Sequence, residues 1–203
     1  MAKDFSVEEG KKLIGLARKS IQYFLATGTL PAEHCDGKRF LEPRGVFVSL
    51  HDFPRKELRG CIGFPMPIKP LWNAVIEAAM EAGFRDPRFA PLEAGELGKI
   101  VIEISVLTVP EEVTGDRKKL PEKIEVGKDG IIIQRGHRSG LFLPQVATEQ
   151  RWGAKTFVEQ CCLKAGLLEN MWRVNGTKLF RFQAQVFAEK EPEGEIVEEK
   201  GAK

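Results

Sequence analysis

Apolar and polar positions follow a helical period in three stretches of the chain. The first begins at Ser6, which opens a capping box, and ends at Gly28, a residue type that terminates helices without strain. Between them apolar residues recur every three or four positions, which predicts an amphipathic helix. A second helix is predicted from Pro70 to Gly83, and a third from about Ala154.

Other stretches alternate with the period of two that is typical of strands. Residues 46–50 and Leu58–Phe64 are separated by a short turn, so they are predicted to pair as an antiparallel hairpin. Ile100–Leu107 is the clearest strand, and residues 179–187 form a last, half-buried one. Between these two strands lie three short extended runs with turn-rich separators, predicted to form a three-stranded meander: residues 124–126, 131–135 and 141–143.

Strands in hairpins, with helices between groups of strands, indicate an α+β fold with antiparallel sheets and not a doubly wound parallel one. We expect one domain over residues 1–188, in two lobes that each have an antiparallel sheet and flanking helices, with a cleft between them. The larger lobe takes about 1–109 plus 171–188, and the inserted smaller lobe about 110–170. Residues 189–203 are rich in Glu and Lys and are predicted to be a disordered tail.

Composition narrows the class of protein. The 203 residues include 42% hydrophobic and 30% charged residues, which suits a compact domain and excludes a wholly disordered chain. The net charge of +2 offers no electrostatic footprint for nucleic acid, and no apolar run approaches the ~20 residues that span a bilayer. The N-terminal residues lack the apolar stretch of a signal peptide, so we expect a cytoplasmic protein with no nucleic-acid or membrane partner.

The four cysteines, Cys35, Cys61, Cys161 and Cys162, are expected to be free thiols in a reducing compartment. Asn is scarce while Lys and Glu are abundant, a composition found in thermophiles. Because hyperthermophiles form intracellular disulfides, a disulfide at Cys35 stays open. The neighbours Cys161 and Cys162 point about 100° apart on a helix, and His34-Cys35 matches no zinc spacing. We therefore predict no metal site and no cofactor.

Two glycines close to a cysteine inside an extended segment form the most distinctive local chemistry. Gly60 and Gly63 flank Cys61, and glycine weakens a strand unless a close approach or a bend requires it. Arg59 stands two residues before Cys61, so in an extended chain the two share a face, where a guanidinium favours the thiolate. His51, at the end of the preceding strand, is the nearest candidate base. Cys61 is thus a candidate nucleophile; the alternative is a small buried residue where two lobes pack.

Polar residues elsewhere offer candidate ligand contacts, each with a plainer alternative. Arg85 and Arg88 flank Asp86-Pro87 and are candidates to clamp a carboxylate or phosphate, or Asp86 pairs with one of them in a structural loop. Glu103 and Ser105 share one strand face as a candidate base and a polar ligand contact, or that face is simply solvated.

The sequence resembles the AMMECR-one domain family in four stretches: Leu58–Gly63, which matches the family's hallmark hexapeptide in full, and residues 84–89, 102–107 and 140–146. The resemblance covers roughly residues 6–188. It implies a two-lobed α+β fold with the hexapeptide facing the cleft, and it implies no particular reaction. On this basis Gly60, Gly63 and Gln145 join the candidate ligand-binding residues. The family's association with Memo-like and radical-SAM proteins in many prokaryotes implies a link to a shared modification pathway.

Two functions stay open on these residues. The first is a cysteine-dependent enzyme that acts on a protein, a peptide or a small molecule through Cys61, Arg59 and His51. The second is a non-catalytic module that binds a protein partner. Thiol reactivity separates the two, because an activated Cys61 alkylates well below the pH expected for an ordinary thiol with a pKa of about 8.5.

Overall fold

The computed structural model describes residues 5–32, 35 and 37–199 of the chain. Its helices and strands, in chain order, are α1 (Val7–Thr27), β1 (Val46–Asp52), β2 (Leu58–Phe64), α2 (Leu71–Phe84), β3 (Ile100–Leu107), β4 (Glu111–Glu112), β5 (Gly130–Arg135), β6 (Arg138–Phe142), α3 (Pro144–Glu149), α4 (Ala154–Lys164), β7 (Lys178–Phe182), β8 (Ala184–Glu189) and β9 (Ile196–Glu199). Short 3-10 helices lie at Lys38–Leu41, Ala94–Lys99, Arg117–Lys123 and Met171–Arg173.

The described residues divide into two compact units. The first comprises the chain up to Val106 together with Gln185–Glu199, and the second comprises Leu107–Ala184. None of the helices in the described part of the chain combines the length and the apolar character needed to cross a membrane.

A five-stranded sheet in the order β2-β1-β3-β8-β9 forms the first unit together with α1 and α2. The strand β1 pairs antiparallel with β2 on one side and with β3 on the other. Val46, Val48 and Leu50 alternate along β1 and are wholly buried in the core that includes α1 and α2. Strand periodicity therefore sends Ser49 and its alternate neighbours to the opposite face of the sheet.

A four-stranded sheet in the order β4-β7-β5-β6 forms the second unit. Its paired strands run antiparallel. The helix α4 packs on this sheet through Phe157, Val158 and Cys161, which are fully buried, and Trp172 completes the same core.

The architecture confirms the predicted α+β class with antiparallel sheets, and it confirms the hairpin of β1 and β2. The capping box is also present: the Glu9 amide donates to Ser6 Oγ at 3.2 Å, and the Ser6 amide donates to Glu9 Oε2 at 2.8 Å. The helix α1 ends at Gly28, whose φ of 69° is left-handed. The helix α2 begins one residue after Pro70 and extends past Gly83 by one residue.

The predicted strand over residues 124–126 is wrong, and β7 takes its place beside β5. Asp129 gives the physical reason. Its carboxylate accepts hydrogen bonds from the Glu125 amide at 2.9 Å and from Gln183 Nε2 at 2.8 Å, while its own amide donates to the Glu125 carbonyl at 2.8 Å. These bonds close a turn, and such side-chain-to-backbone bonding competes with strand formation.

The last predicted strand, residues 179–187, divides at Gln183 into β7 and β8, which belong to different sheets. Two hydrogen bonds between Thr108 and Gln183 fix the backbone at this break. The Thr108 amide donates to the Gln183 carbonyl at 2.8 Å, and the Gln183 amide donates to Thr108 Oγ1 at 2.9 Å. Because apolar alternation continues through the break, the pattern alone does not mark it.

The charged tail also differs from its prediction as far as it is described, because Ile196–Glu199 forms β9 and pairs antiparallel with β8. Ile196 packs against the core of the first unit, and the Lys190 amide donates to the Glu195 carbonyl at 2.9 Å to close the turn. Pairing with β8 and the packing of Ile196 on the core thus accompany a strand in an otherwise charged segment. Residues 200–203 and His34 lie outside the described residues.

A buried ion pair ties α1 to the sheet of the first unit. The side chains of Arg18 and Glu189 are 8% and 2% exposed, and Arg18 Nε donates to Glu189 Oε1 at 2.9 Å. Glu189 Oε2 also accepts from the Ile102 amide at 2.9 Å, and Arg18 Nη2 donates to the Ile100 carbonyl at 2.9 Å. One pair of charges therefore joins α1, β3 and β8.

Removing one partner of this pair leaves a buried charge without compensation. We expect Glu189→Ala to lower the free energy of unfolding by about 3–5 kcal/mol, measured by urea denaturation. Glu193→Gln is the matched control, since Glu193 lies 3.9 Å from Arg18 but is 61% exposed, and its effect should stay within about 0.5 kcal/mol. Equal effects of the two substitutions would contradict the role assigned to the buried pair.

Candidate functional site

A thiol, a hydroxyl and a carboxyl lie in line across three strands of the first unit. In the strand register Ser49 of β1 stands opposite Cys61 of β2 on one side and opposite Glu103 of β3 on the other. Alternation places all three on the sheet face opposite the helices. We call Cys61, Ser49 and Glu103 the polar row.

Two side chains from the segment after α2 hold Cys61 at the outer edge of β2. The Cys61 amide donates to Asp86 Oδ2 at 2.9 Å, and the Cys61 carbonyl accepts from Arg88 Nη2 at 3.1 Å. Because both backbone groups point outward, Cys61 and Ser49 form a non-hydrogen-bonded pair, the kind in which side chains approach closely. Ser49 Oγ donates accordingly to Cys61 Sγ at 3.2 Å.

Asp86 is the anchor of this arrangement. Its side chain is 1% exposed, and its carboxylate accepts from Arg88 Nε at 2.9 Å, from Arg88 Nη2 at 2.7 Å and from the Arg88 amide at 3.1 Å. The Arg88 side chain, together with the Cys61 amide, holds the pKa of Asp86 well below its usual range. This is the pairing that the structural-loop interpretation describes, and the ligand-binding role of these residues stays a prediction. Arg85 instead pairs with Glu81 at 3.0 Å on the surface.

Arg59 is directed to another carboxylate. Its Nε and Nη2 donate to the two oxygens of Glu96 at 2.8 and 3.0 Å, and its Nη1 donates to the Ala90 carbonyl at 2.9 Å. The β1–β2 register pairs Leu50 with Gly60 and His51 with Leu58, so a bulge leaves Arg59 unpaired in the ladder. Simple alternation from Cys61 does not carry across a bulge, so the spacing of two residues does not fix the face that Arg59 takes.

The thiol is correspondingly less acidic than an ordinary one. Burial raises the pKa of Cys61, and the hydrogen bond from Ser49 and the charge of Arg88 oppose this only in part. The carboxyls of Glu103 and Asp86 act in the raising direction. The thiolate is thus disfavoured, the reverse of the direction that the sequence suggested.

His51 lies on the same face of β1 as Ser49, two residues further along the strand. Burial lowers the pKa of His51, and its Nδ1 is buried without a hydrogen-bond partner. Among the described residues no hydrogen bond joins His51 to Cys61. The geometry of a base hydrogen-bonded to the thiol is not formed here.

The glycines of the hexapeptide are explained by close approaches. A Cβ on Gly60 would lie 2.1 Å from the carbonyl oxygen of Ala82 in α2. A Cβ on Gly63 would lie 2.4 Å from the Phe47 ring. Both glycines therefore let neighbouring elements pack against β2 at distances that no side chain permits.

Glu103 is the most unusual ionisable group of the polar row. It is half-buried, and the described part of the chain offers it no hydrogen bond or ion pair. Burial, with the charge of Glu199, raises the pKa of Glu103 to about 7, although Lys56 acts in the opposite direction. Ser105, two residues along β3, is 3% exposed, so this strand face is not simply solvated.

Sequence reasoning missed Ser49 and Glu96. Ser49 becomes visible once the hairpin register is known, because it is the residue directly opposite Cys61. Glu96 gives no local signal, since it meets Arg59 only through the fold. Gln145 lies half-buried in α3 of the second unit, and its ligand-binding role stays a prediction.

The described residues contain no group of three or more His, Cys, Asp and Glu side chains arranged to hold a metal ion. All four cysteines are free, with Cys161 and Cys162 fully buried. Burial raises the pKa of Cys161 to about 12 and that of Cys162 to about 11, so neither is a reactive thiol.

Comparison with known proteins places this chain in a family. The family model AMMECR1 matches residues 14–187. The chain is 48% identical over 200 residues to Protein MK0488 of Methanopyrus kandleri, covering 98% of this chain and 97% of that protein. It is 45% identical over 196 residues to Protein MJ0810 of Methanocaldococcus jannaschii, covering 96% and 97%.

A solved structure is similar over nearly the whole chain. The crystal structure of the uncharacterized protein PH0010 from Pyrococcus horikoshii has a TM-score of 0.86 and 42% sequence identity, covering 95% of this chain and 97% of that one. An α+β protein with two antiparallel sheets and the Leu58–Gly63 strand is thus the class defined here. The chain belongs to the AMMECR1 family.

Two glycine substitutions test the close approach at the site. Gly60→Ala forces Cβ against the backbone of α2 and should lower the free energy of unfolding by about 2–3 kcal/mol. Gly15→Ala is the control, because nothing lies within 4 Å of its Cβ position inside α1, and it should stabilise by about 0.5–1 kcal/mol. Thermal unfolding of both variants checks the signs of the two stability changes. A Gly60→Ala protein as stable as wild type would contradict the close approach of α2 to Gly60.

Replacing Asp86 tests the anchor through its pH dependence. Asp86→Asn weakens the charged hydrogen bonds and should cost about 1–3 kcal/mol at pH 7. Since the folded pKa of Asp86 is lowered, this contribution is complete above the unfolded pKa of about 3.9 and disappears as the pH falls through the folded value. Urea denaturation of both proteins from pH 7 to pH 3 should therefore show the gap narrowing below about pH 4.

The arginines provide the matched pair for this experiment. Arg88→Gln should reproduce much of the Asp86→Asn loss, whereas Arg85→Gln, whose side chain is 61% exposed, should change stability by less than about 0.5 kcal/mol. If the difference in free energy of unfolding between wild type and Asp86→Asn widened toward acid pH, the lowered pKa assigned to Asp86 would be contradicted.

Proposed function

We propose that this chain binds a partner through the polar row, with Glu103 as the ionisable contact and Cys61 as a neighbouring contact instead of an activated nucleophile. The observation that carries the proposal is the half-buried Glu103 carboxyl, which lacks a partner in the described part of the chain. A carboxyl left in this state costs stability, and such groups cluster at functional sites.

The charges around Glu103 favour a cationic group on the partner. Burial is the main cause of the raised pKa of Glu103; the charge of Glu199 adds to it by repulsion, and the exposed Lys56 opposes it only in part. An ammonium or guanidinium group placed against Glu103 would stabilise the ionised carboxylate by electrostatic attraction. A lysine or arginine side chain of a protein or peptide supplies such a group.

The state of the thiol supports binding over catalysis. A cysteine nucleophile requires a lowered pKa or a base within hydrogen-bond reach. Burial instead raises the pKa of Cys61, Arg59 is paired with Glu96, and the hydrogen-bond partner of the thiol is the hydroxyl of Ser49.

A cysteine-dependent enzyme is the second candidate, and one observation favours it. The pKa of Glu103, about 7, lies in the range suited to general acid–base catalysis, and Ser49 stands between Glu103 and Cys61 in the strand register. In such an enzyme Ser49 would pass a proton between the thiol and Glu103.

A cationic peptide tests the binding proposal. Titration of tri-lysine with blocked ends, followed by amide NMR, should shift the signals of Ser49, Cys61 and Glu103. Because Glu103 must ionise, affinity should rise by about tenfold from pH 6 to pH 8. Glu103→Gln should abolish the response, while Glu112→Gln, which removes an exposed acid of the second unit, should not. Shifts that persist in Glu103→Gln would overturn the proposal.

Thiol alkylation separates the two candidates. In a Cys35→Ser background Cys61 is the remaining thiol that is not fully buried. Its alkylation rate should reach half its maximum above the ordinary pKa of about 8.5, and Arg59→Ala should leave that value unchanged. Rapid alkylation near pH 7 that requires Ser49 and Glu103 would favour the enzyme.

A further inference from the structure

A pocket in the second unit is lined by none of the residues of the polar row. Its volume is about 470 Å³, within the range of roughly 300–1,000 Å³ found for small-molecule sites. Two segments form it: the turn at residues 126–128 that leads to β5, and the end of α3 with the two residues that follow Gln150.

The lining of the pocket includes apolar side chains. Ala147, which is fully buried, and Val126, which is 37% exposed, both line it. The Trp152 ring packs edge-on against Phe142 with 5.7 Å between centroids, and the Trp152 amide donates to the Ala147 carbonyl at 2.8 Å. The indole is half-buried, so part of it is presented to the pocket. A flat apolar group fits such a surface.

The rim carries positive charge. Lys128 and Arg151 both line the pocket, together with Thr148. Lys128 is paired with Glu125 at 2.6 Å, but the Arg151 side chain is exposed and forms no ion pair in the described part of the chain. The rim therefore offers a guanidinium whose donors are open to an anion.

The backbone at Arg151 restricts which substitutions fit there. Its φ is 55°, in the left-handed region that arginine seldom adopts, and its amide donates to the Thr148 carbonyl at 3.1 Å. Lys56 and Glu193 have the same left-handed backbone. Asparagine fits this conformation with less strain than most residues, so it is the substitution that isolates the contribution of the Arg151 side chain.

From this arrangement we infer that the second unit binds a small planar aromatic anion, with its ring against Trp152 and its carboxylate or phosphate at Arg151. Aromatic carboxylates and nucleoside monophosphates share this chemistry. Neither the ring nor the anion alone uses both parts of the pocket, so both are required for full affinity.

The three tryptophans give an internal control for the test. In ¹H–¹⁵N NMR the indole signal of Trp152 should shift saturably with indole-3-acetate or adenosine 5′-monophosphate, while that of Trp172, which is 1% exposed, should not move. Inorganic phosphate and adenosine added separately should bind at least about fivefold more weakly. A response to only one of the two anions identifies the ligand source.

Variants at the rim complete the experiment. Arg151→Asn keeps a residue that tolerates the left-handed backbone, so it should fold and bind about tenfold more weakly, whereas Arg151→Lys should retain much of the affinity. Lys155→Ala, which removes an exposed cation of α4 outside the pocket, should bind like wild type. The inference is overturned if neither anion binds saturably below about 10 mM, or if Arg151→Asn binds as wild type does.

Discussion

The position of Cys61 in the edge strand β2 depends on one carboxylate, that of Asp86. It accepts the Cys61 amide, which would otherwise be an unpaired donor at the edge of β2, and it orients Arg88, which in turn donates to the Cys61 carbonyl. Two side chains thus satisfy the groups that a further strand would satisfy. The edge is closed to another strand at this position, as natural sheets commonly require.

This anchoring explains why the hexapeptide needs its particular residues. With the backbone of Cys61 fixed from outside, α2 approaches from the other face so closely that Gly60 has no room for a side chain. Gly63 likewise leaves no room for a side chain, because the Phe47 ring packs directly against it. Arg59, displaced by the bulge, joins β2 to Glu96 and thereby to the segment after α2. Most of the motif therefore has a structural explanation, and the chemistry that remains lies with Cys61, Ser49 and Glu103.

The sequence predicted those features whose causes are local. The capping box at Ser6 and the hairpin of β1 and β2 each involve residues that are near neighbours in the chain, and both are present. The α+β class with antiparallel sheets followed from the order of these elements. Ser49 was missed, because its place opposite Cys61 depends on the exact register of the hairpin.

What could not be predicted depends on distant partners. Cys61 and Asp86 are 25 residues apart, Arg59 and Glu96 are 37 apart, and Gln183 meets Thr108 across 75 residues. No periodicity encodes these meetings. The bulge before Gly60 likewise leaves no trace in composition, yet it turns Arg59 from the expected neighbour of the thiol into a structural residue. The raised pKa of Cys61 follows from these placements and not from the motif.

The break at Gln183 marks the place where the chain returns from the second unit to the first. The second unit leaves the first after Val106 and returns at Gln185, and β3 and β8, which carry these ends, are neighbours in one sheet. The bonds between Thr108 and Gln183 bring the two crossings together at the start and end of the second unit. Because the chain leaves the first unit from β3 and returns to it at β8, and these strands are neighbours in one sheet, the second unit closes a loop whose two ends are held side by side.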